Sequence, residues 1–186
     1  HDPGFCAPAS TGRQLALARR LLWSRLMIKE VSGDISKTTA RAICHGIAPN
    51  DHFDRGLALQ LREMWPALAK DFRHWSHTHK AEPGGAWTWA TPDGRRIVNL
   101  LTQEPALGDK GRPGKAQLEH VNHALRELRK EIEREKIDSV ALPRLATGVG
   151  GLDWADVRPL IDKHLGSLGI PVYVYATFQP GVTAKE

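Results

Sequence analysis

Apolar and polar positions along the chain follow two different periods, one typical of strands and one typical of helices. Short apolar runs bounded by turn residues predict buried strands, whereas apolar residues three and four positions apart predict helices. The strands are expected at 28–31, 42–48, 85–90, 95–101, 139–142 and 172–177, and the helices at 14–26, 55–65, 116–136 and 154–166. Because most strands alternate with helices, we predict an α/β fold whose mixed sheet is covered on both faces.

Two prolines predict where elements of this pattern turn or end. Thr91-Pro-Asp-Gly94 lies between two strand-like runs, and Pro and Gly at these places favour a hairpin turn. Pro66 follows the helical pattern at 55–65 and is expected to end that helix.

The stretch from Pro143 to Trp154 carries three glycines within four positions, at 148, 150 and 151. It follows a predicted strand and precedes a predicted helix. Glycines in such a loop let backbone amides turn towards a ligand and form a nest that suits phosphate. The same pattern also fits a tight strand-to-helix turn that binds nothing. Loops after the parallel strands of an α/β sheet meet at one edge, where ligands bind.

Composition indicates a globular chain of one domain, since 41% of its 186 residues are hydrophobic and 25% are charged. Cys6 and Cys44 are far apart and predict neither a disulfide framework nor a zinc site, which favours a cytoplasmic protein. No apolar run reaches the roughly 20 residues that span a membrane. The formal charge is +5, of which residues 1–26 carry +3 (four arginines and one aspartate), leaving +2. No strong general binding to nucleic acid is therefore predicted.

The first 26 residues differ from the rest in charge and pattern. The chain starts at His1, and Met27 directly precedes the first predicted strand. The Arg-rich amphipathic segment 14–26 raises the possibility of a targeting signal, although it lacks a continuous apolar core. We expect an N-terminal extension over 1–26, native or added, a domain over 27–180 and a tail over 181–186.

Four segments in register resemble a macrodomain over roughly residues 27–178. They are Gly33-Asp-Ile35, Arg55-Gly-Leu-Ala58, Pro143-Arg144 and Gly148-Val-Gly-Gly-Leu-Asp-Trp154. The pattern is most similar to the branch that contains terminal ADP-ribose protein glycohydrolase and the DNA ADP-ribosyl glycohydrolase antitoxins. The resemblance implies a three-layer α/β/α fold with a mixed, mostly parallel central sheet, and a ligand of the ADP-ribose type.

The resemblance also implies which residues bind ADP-ribose. Asp34 would accept a hydrogen bond from the adenine amine, although an Asp there also suits a helix cap or a turn. Phe178 would stack on adenine, although it fits a core position equally well. The implied contacts are Gly33, Asp34, Ile35, Arg55, Gly56, Thr147, Gly148, Val149, Gly150, Gly151 and Phe178.

The chain departs from the family where catalysis would occur. The resemblance places a catalytic lysine at the position of Gln103 and an aspartate at that of Gly150. Gln103 can still hydrogen-bond a ribose hydroxyl or hold a water, and Glu104 is a further possible base. In the first loop, His52 and Asp54 would lie near the distal ribose. The alternative is that both are solvated loop residues and that Asp54 caps the next helix.

Two other clusters favour structural explanations. His74, His77 and His79 have metal-like spacing but no acidic or cysteine partner nearby, so a surface stretch is the better interpretation. The tryptophans form either a nucleic-acid stacking platform or, more commonly, hairpin and core packing; they are Trp65, Trp75, Trp87 and Trp89. No metal and no cofactor are expected.

These observations predict an ADP-ribose-binding protein that removes ADP-ribose from an acceptor, either an acidic side-chain ester on protein or a DNA base. The alternative is a reader module that binds ADP-ribose without chemistry, which the missing lysine favours. A third interpretation, an α/β domain that binds nucleic acid, predicts a steep dependence of binding on salt.

Overall fold

A computed structural model describes residues 8–9, 11–107 and 111–186. Residues 1–7 and 10 of the expected extension, Cys6 included, and residues 108–110 of the loop after the fourth strand lie outside the described residues. The helices are α1 (Gly12–Met27), α2 (Gly56–Met64), α3 (Pro66–Thr78), α4 (Leu118–Glu135) and α5 (Trp154–Leu165). The strands are β1 (Ile28–Gly33), β2 (Ala42–Ile47), β3 (Ala86–Ala90), β4 (Arg96–Leu101), β5 (Val140–Pro143) and β6 (Val172–Phe178).

The strands form one six-stranded sheet in the order β1-β6-β5-β2-β4-β3. Strands β1, β6, β5, β2 and β4 are parallel neighbours, and β3 alone pairs antiparallel, with β4. The predicted hairpin supplies that antiparallel pair. The prediction of a mixed, mostly parallel sheet is confirmed.

Successive residues of each strand point to opposite faces of the sheet, so one strand contributes to two cores. On β2, Ala42 and Cys44 belong to the core beneath α4 and α5, whereas Ile43 and Ile47 belong to the core beneath α2 and α3. The amphipathic helices α4 and α5 bury Leu125 and Ile161 in the first core. The three-layer α/β/α fold predicted from the resemblance is therefore present.

Helix α3 was missed by the sequence analysis. Pro66 does not simply end the preceding helix: α2 ends at Met64, and Pro66 is the first residue of α3. Proline suits this position because the first helical amide needs no intrahelical partner. The segment containing His74 and His77 is thus the last part of a helix, which buries Leu68 and Phe72 on its inner side.

The four tryptophans pack at the edge of the second core, as the packing interpretation predicted. The rings of Trp75 and Trp87 stack with centroids 5.6 Å apart, and Phe72 contacts both. Strand β3 is thereby attached to α3 through aromatic side chains.

The N-terminal helix continues directly into the sheet, and the C-terminal residue is hydrogen-bonded to the domain. Helix α1 covers the predicted helix at 14–26 and runs directly into β1. At the other end, the Glu186 carboxylate accepts hydrogen bonds from Thr38, Thr39 and Tyr175. The division into 1–26, 27–180 and 181–186 stays a prediction. Among the described residues, no helix combines the length and the apolar character needed to cross a membrane.

Candidate functional site

The carboxyl ends of the five parallel strands meet along one edge of the sheet, and two adjoining cavities lie there. One has a volume of about 220 Å³ and the other about 470 Å³. Both are lined by Gly56, Leu57 and Pro143, so together they form a single groove. The strand order places the loops after β1 and β6 at one end of this groove and the loop after β4 at the other.

The end of the groove near β1 and β6 is mainly apolar. Its lining includes Ile35 after β1, Leu57 on α2, and Tyr175 and Phe178 on β6. Phe178 is 60% exposed, which is unusual for a large apolar side chain and leaves one of its faces open. Phe178 is therefore not an ordinary core residue, and the cavity offers a flat apolar surface for a ring.

Asp34 lies beside this apolar end but is buried, and its carboxylate is used inside the protein. It accepts hydrogen bonds from the Ser36 amide and hydroxyl at 3.0 and 2.7 Å, from Gln60 Nε2 at 2.9 Å and from the Gly181 amide at 3.0 Å. Burial by itself would raise its pKa, but these bonds outweigh burial and lower the pKa to about 2. Asp34 also caps the short 3-10 turn Ile35–Lys37. The predicted adenine contact would compete with these four bonds.

The glycine-rich loop after β5 borders the middle of the groove. Gly148, Val149 and Gly150 line it, and none of their amides donates a hydrogen bond to another described residue. The loop is held by other bonds: the Leu152 amide donates to the Ala146 carbonyl, and the Gly151 amide to the Gly148 carbonyl. Uncommitted amides beside a cavity are the feature expected of an anion-binding loop.

The first turn of α2 faces the same part of the groove. Gly56, Leu57 and Ala58 line it, and their amides are the ones that an α-helix leaves without an intrahelical partner. Gly56 adopts a φ of +51°, a conformation that favours glycine. Arg55 occupies the cap position without a side-chain bond to the helix, so the alternative that Asp54 caps α2 is wrong. Asp54 instead lines the groove.

The first loop, between β2 and α2, is fixed by two neighbouring residues. The Asp51 carboxylate accepts bonds from the amides of Ala48 at 3.3 Å and Phe53 at 2.8 Å. Phe53 is fully buried and meets His45 and Phe72 edge-on. This anchoring holds Asp54 at the groove. It also directs His52 away from the groove. The His52 Nδ1 atom lies 2.6 Å from Arg73 Nη1 on α3.

At the end near β4, Gln103 lines the groove and Glu104 does not. Gln103 is buried, and its Nε2 donates to the Gly114 carbonyl at 3.3 Å. Its Oε1 has no hydrogen-bond partner among the described residues, so it is available as an acceptor. Glu104 is turned towards α4, where it contacts His120 at 2.8 Å and Gln117 at 3.0 Å. Glu104 is therefore not placed to act as a base in the groove.

His45 lines the groove as well, and the sequence analysis did not single it out. Its Nε2 lies 2.6 Å from Asn99 Oδ1, and Asn99 Nδ2 donates to the Trp87 carbonyl. This arrangement makes Nε2 the protonated nitrogen of the ring. Burial lowers the pKa of His45, which keeps the ring neutral. The sequence feature that could have identified His45 is a polar residue within an otherwise apolar predicted strand.

Most of the predicted site residues are brought together, and their roles stay predictions. Those lining the groove are Gly33, Ile35, Asp54, Arg55, Gly56, Gln103, Gly148, Val149, Gly150 and Phe178. Those that do not line it are Asp34, His52, Thr147 and Gly151. In the described part of the chain, no group of three or more His, Cys, Asp or Glu side chains is arranged to hold a metal ion.

Comparison with known proteins places this geometry in a family. The model of the Macro domain family matches residues 62–161. A DNA ADP-ribosyl glycohydrolase of Thermus aquaticus is 26% identical over 155 residues, which are 80% of this chain and 41% of that protein. The chain thus spans less than half the length of that relative.

Solved structures agree with the fold. The macrodomain of Mycobacterium tuberculosis DarG superposes with a TM-score of 0.70 at 23% identity, covering 83% of this chain and 99% of that one. Thermosipho africanus DarTG in complex with ADP-ribose superposes with a TM-score of 0.68 at 20% identity, covering 84% of this chain and 42% of that one.

The bonds around Asp34 give a pH-dependent prediction. Asp34→Asn should lower the free energy of unfolding at pH 7 by about 1–2 kcal/mol, because an amide offers one acceptor oxygen where the carboxylate offers two. Since the folded-state pKa is lowered, this contribution is complete above about pH 4 and is lost as the pH falls towards 2. Urea denaturation at pH 7 and pH 3 should show a smaller difference between the two proteins at pH 3. An equal difference at both values would contradict the assignment.

The packing of the glycine-rich loop gives a matched pair of variants. A Cβ atom at Gly150 would lie 2.5 Å from the Ala146 carbonyl oxygen and 2.9 Å from the Ala116 Cβ, whereas one at Gly148 would meet nothing within 4 Å. Gly150→Ala should therefore lower the free energy of unfolding by about 1–3 kcal/mol. Gly148→Ala, the control, should change it by less than about 0.5 kcal/mol. Urea denaturation measures both, and equal losses would show that the loop adjusts freely.

Proposed function

The chain belongs to the macrodomain family, and on that premise we propose that the groove binds ADP-ribose and that the protein hydrolyses the bond between its distal ribose and an acceptor. The observation that carries this proposal is the order of surfaces along the groove. An apolar cavity lies at β1 and β6, uncommitted amides lie at β5 and α2, and polar side chains lie at β2 and β4. ADP-ribose has a ring, a diphosphate and a second ribose in the same order.

The apolar end suits adenine because Ile35, Leu57 and Phe178 offer flat or branched apolar surface to a ring. The diphosphate would then lie between the glycine-rich loop and the first turn of α2. The amides of Gly148 to Gly150 and of Gly56 to Ala58 approach it from two sides. The positive end of the helix dipole adds to this attraction.

The distal ribose would reach the end formed by Asp54 and Gln103, where the proposed chemistry takes place. Gln103 has an acceptor oxygen available and can hold a ribose hydroxyl or a water, but it cannot form a Schiff base. Asp54 is an exposed carboxylate whose only recorded cation partner among the described residues, Arg55, is 3.8 Å away. It can orient a water and accept its proton. In the proposed mechanism the positioned water attacks the anomeric carbon as the bond to the acceptor breaks, the departing acceptor takes up the proton that Asp54 removed from the water, and no covalent intermediate forms on the protein.

The proposed acceptor is a DNA base. The relatives named DNA ADP-ribosyl glycohydrolase support this choice. An acidic side-chain ester on protein is the other acceptor. A reader module without activity is the second candidate function, and the observation that favours it is Gln103 at the position of the family lysine.

A substitution of Phe178 tests the proposal that adenine binds at the apolar end of the groove. Phe178→Ala should weaken ADP-ribose binding about tenfold, because a stacking partner of adenine is worth on the order of 1–3 kcal/mol. Stability should change little, since the side chain is largely exposed. Isothermal titration calorimetry measures the affinity, and Leu118→Ala is the control, since it removes another partly exposed apolar side chain that lies outside the groove. Unchanged affinity in Phe178→Ala would place adenine elsewhere.

Gln103 tests whether chemistry occurs at the opposite end. Gln103→Ala should slow release of ADP-ribose by about tenfold to a hundredfold, because a water that is no longer well positioned attacks more slowly. The affinity for free ADP-ribose should stay similar, because that water contributes little to binding of the free ligand. Release is measured on ADP-ribosylated DNA and on ADP-ribosylated protein in parallel. If the unaltered protein binds ADP-ribose tightly but releases it from neither substrate, the reader function is correct and the hydrolase function is wrong.

A further inference from the structure

A third cavity, of about 520 Å³, adjoins the groove at the end formed by Asp54 and Gln103, which we call the acceptor end. We call it the arginine pocket, because the side chains of Arg62 on α2 and Arg73 on α3 border it. It shares Asp51, Asp54, Arg55 and Pro113 with the groove, so it begins where the distal ribose is proposed to end. Whatever is attached to that ribose would leave the groove next to it.

The two arginines are held by one residue of the first loop. Arg62 Nη1 donates to the His52 carbonyl at 3.3 Å, and Arg73 Nη1 lies 2.6 Å from His52 Nδ1, which must act as the acceptor because a guanidinium only donates. Anchored at His52, guanidinium groups from two different helices border the same cavity. The remaining N–H groups of each guanidinium are available to a ligand.

The arginine pocket has an excess of positive charge among the described residues, because three arginines line it against two aspartates. Neither Arg62 nor Arg73 forms an ion pair with a described carboxylate. Of the two acids nearby, Asp51 accepts bonds from the amides of its own loop, and Asp54 faces Arg55 at 3.8 Å. Two guanidinium groups that have no carboxylate partner, at a cavity lined by more arginines than aspartates, form a site for an anion.

We propose that the arginine pocket binds a backbone phosphate of the acceptor strand next to the ADP-ribosylated base. This rests on the proposed function, since it assigns a subsite to the acceptor of that same groove. Arginine forks match the paired oxygens of a phosphodiester, and every nucleotide of a strand carries one. Phosphate contacts set the position of a strand rather than read its sequence, so the pocket positions the modified base whatever its neighbours are.

The test compares two ligands that share ADP-ribose and differ in phosphodiesters. One is a short fluorescent single-stranded oligonucleotide with one ADP-ribosylated base, and the other is the same modified base as a lone nucleoside. Dissociation constants are measured by anisotropy or by competition, extrapolated to zero time so that release does not interfere. The variants are Arg62→Gln/Arg73→Gln and, as a charge-matched control, Arg126→Gln/Arg129→Gln on α4, which covers the opposite face of the sheet.

The unaltered protein and the control should bind the oligonucleotide about tenfold more tightly than the nucleoside at low salt, and Arg62→Gln/Arg73→Gln should lose this preference. The slope of log affinity against log salt should fall by about one for each phosphate contact removed. The affinity for free ADP-ribose should be the same in all three proteins, which also shows that the variants are folded.

Several outcomes overturn the proposal. Equal affinity of the unaltered protein for oligonucleotide and nucleoside would do so, and so would a preference that survives in Arg62→Gln/Arg73→Gln. If the double variant loses affinity for an ADP-ribosylated acidic peptide but not for the oligonucleotide, the pocket binds carboxylates of a protein acceptor instead. Failure of the proposed function is distinct: either free ADP-ribose does not bind the unaltered protein, or it binds and the unaltered protein releases it from neither ADP-ribosylated DNA nor ADP-ribosylated protein.

Discussion

The parallel arrangement of five strands is the constraint on which the rest of this structure depends. Parallel strands present their carboxyl ends at one edge, so every loop that follows them is delivered to the same place. The order β1-β6-β5-β2-β4 then sets the order of surfaces along the groove. A ligand with a ring at one end and a polar group at the other can lie in only one direction along such an edge.

The groove keeps its amides available because other parts of the chain hold the loops in place. In the first loop, the buried ring of Phe53 and the carboxylate of Asp51 do this work. In the glycine-rich loop, the Gly150 carbonyl accepts a bond from the Ala116 amide while its own amide has no described acceptor. Loops fixed in this way need little reorganisation when they bind an anion, which favours affinity.

The neutral side chain of Gln103 limits the chemistry available at the end of the groove near β4. Gln103 brings no charge and no nucleophile, so any hydrolysis depends on how water is positioned by Gln103 and Asp54. Positive charge comes from Arg55 and Arg144, which line the groove, and from Arg62 and Arg73, which line the adjoining pocket. Arg62 on α2 and Arg73 on α3 do not line the groove, so their charges lie beside this end rather than within it.

The spacing of apolar residues predicted the six strands and four of the five helices to within about two residues, since each pattern reflects which faces must be buried. The hairpin signal at Thr91–Gly94 predicted the turn between β3 and β4. The glycine spacing and the residues after β1 and β2 likewise indicated the family and most of the groove. Helix α3 was missed because Pro66 both ends one helix and begins the next. Only the tertiary structure showed that His52 turns away and that Asp34 is already satisfied by Gln60 and Gly181, because such contacts join residues distant in sequence.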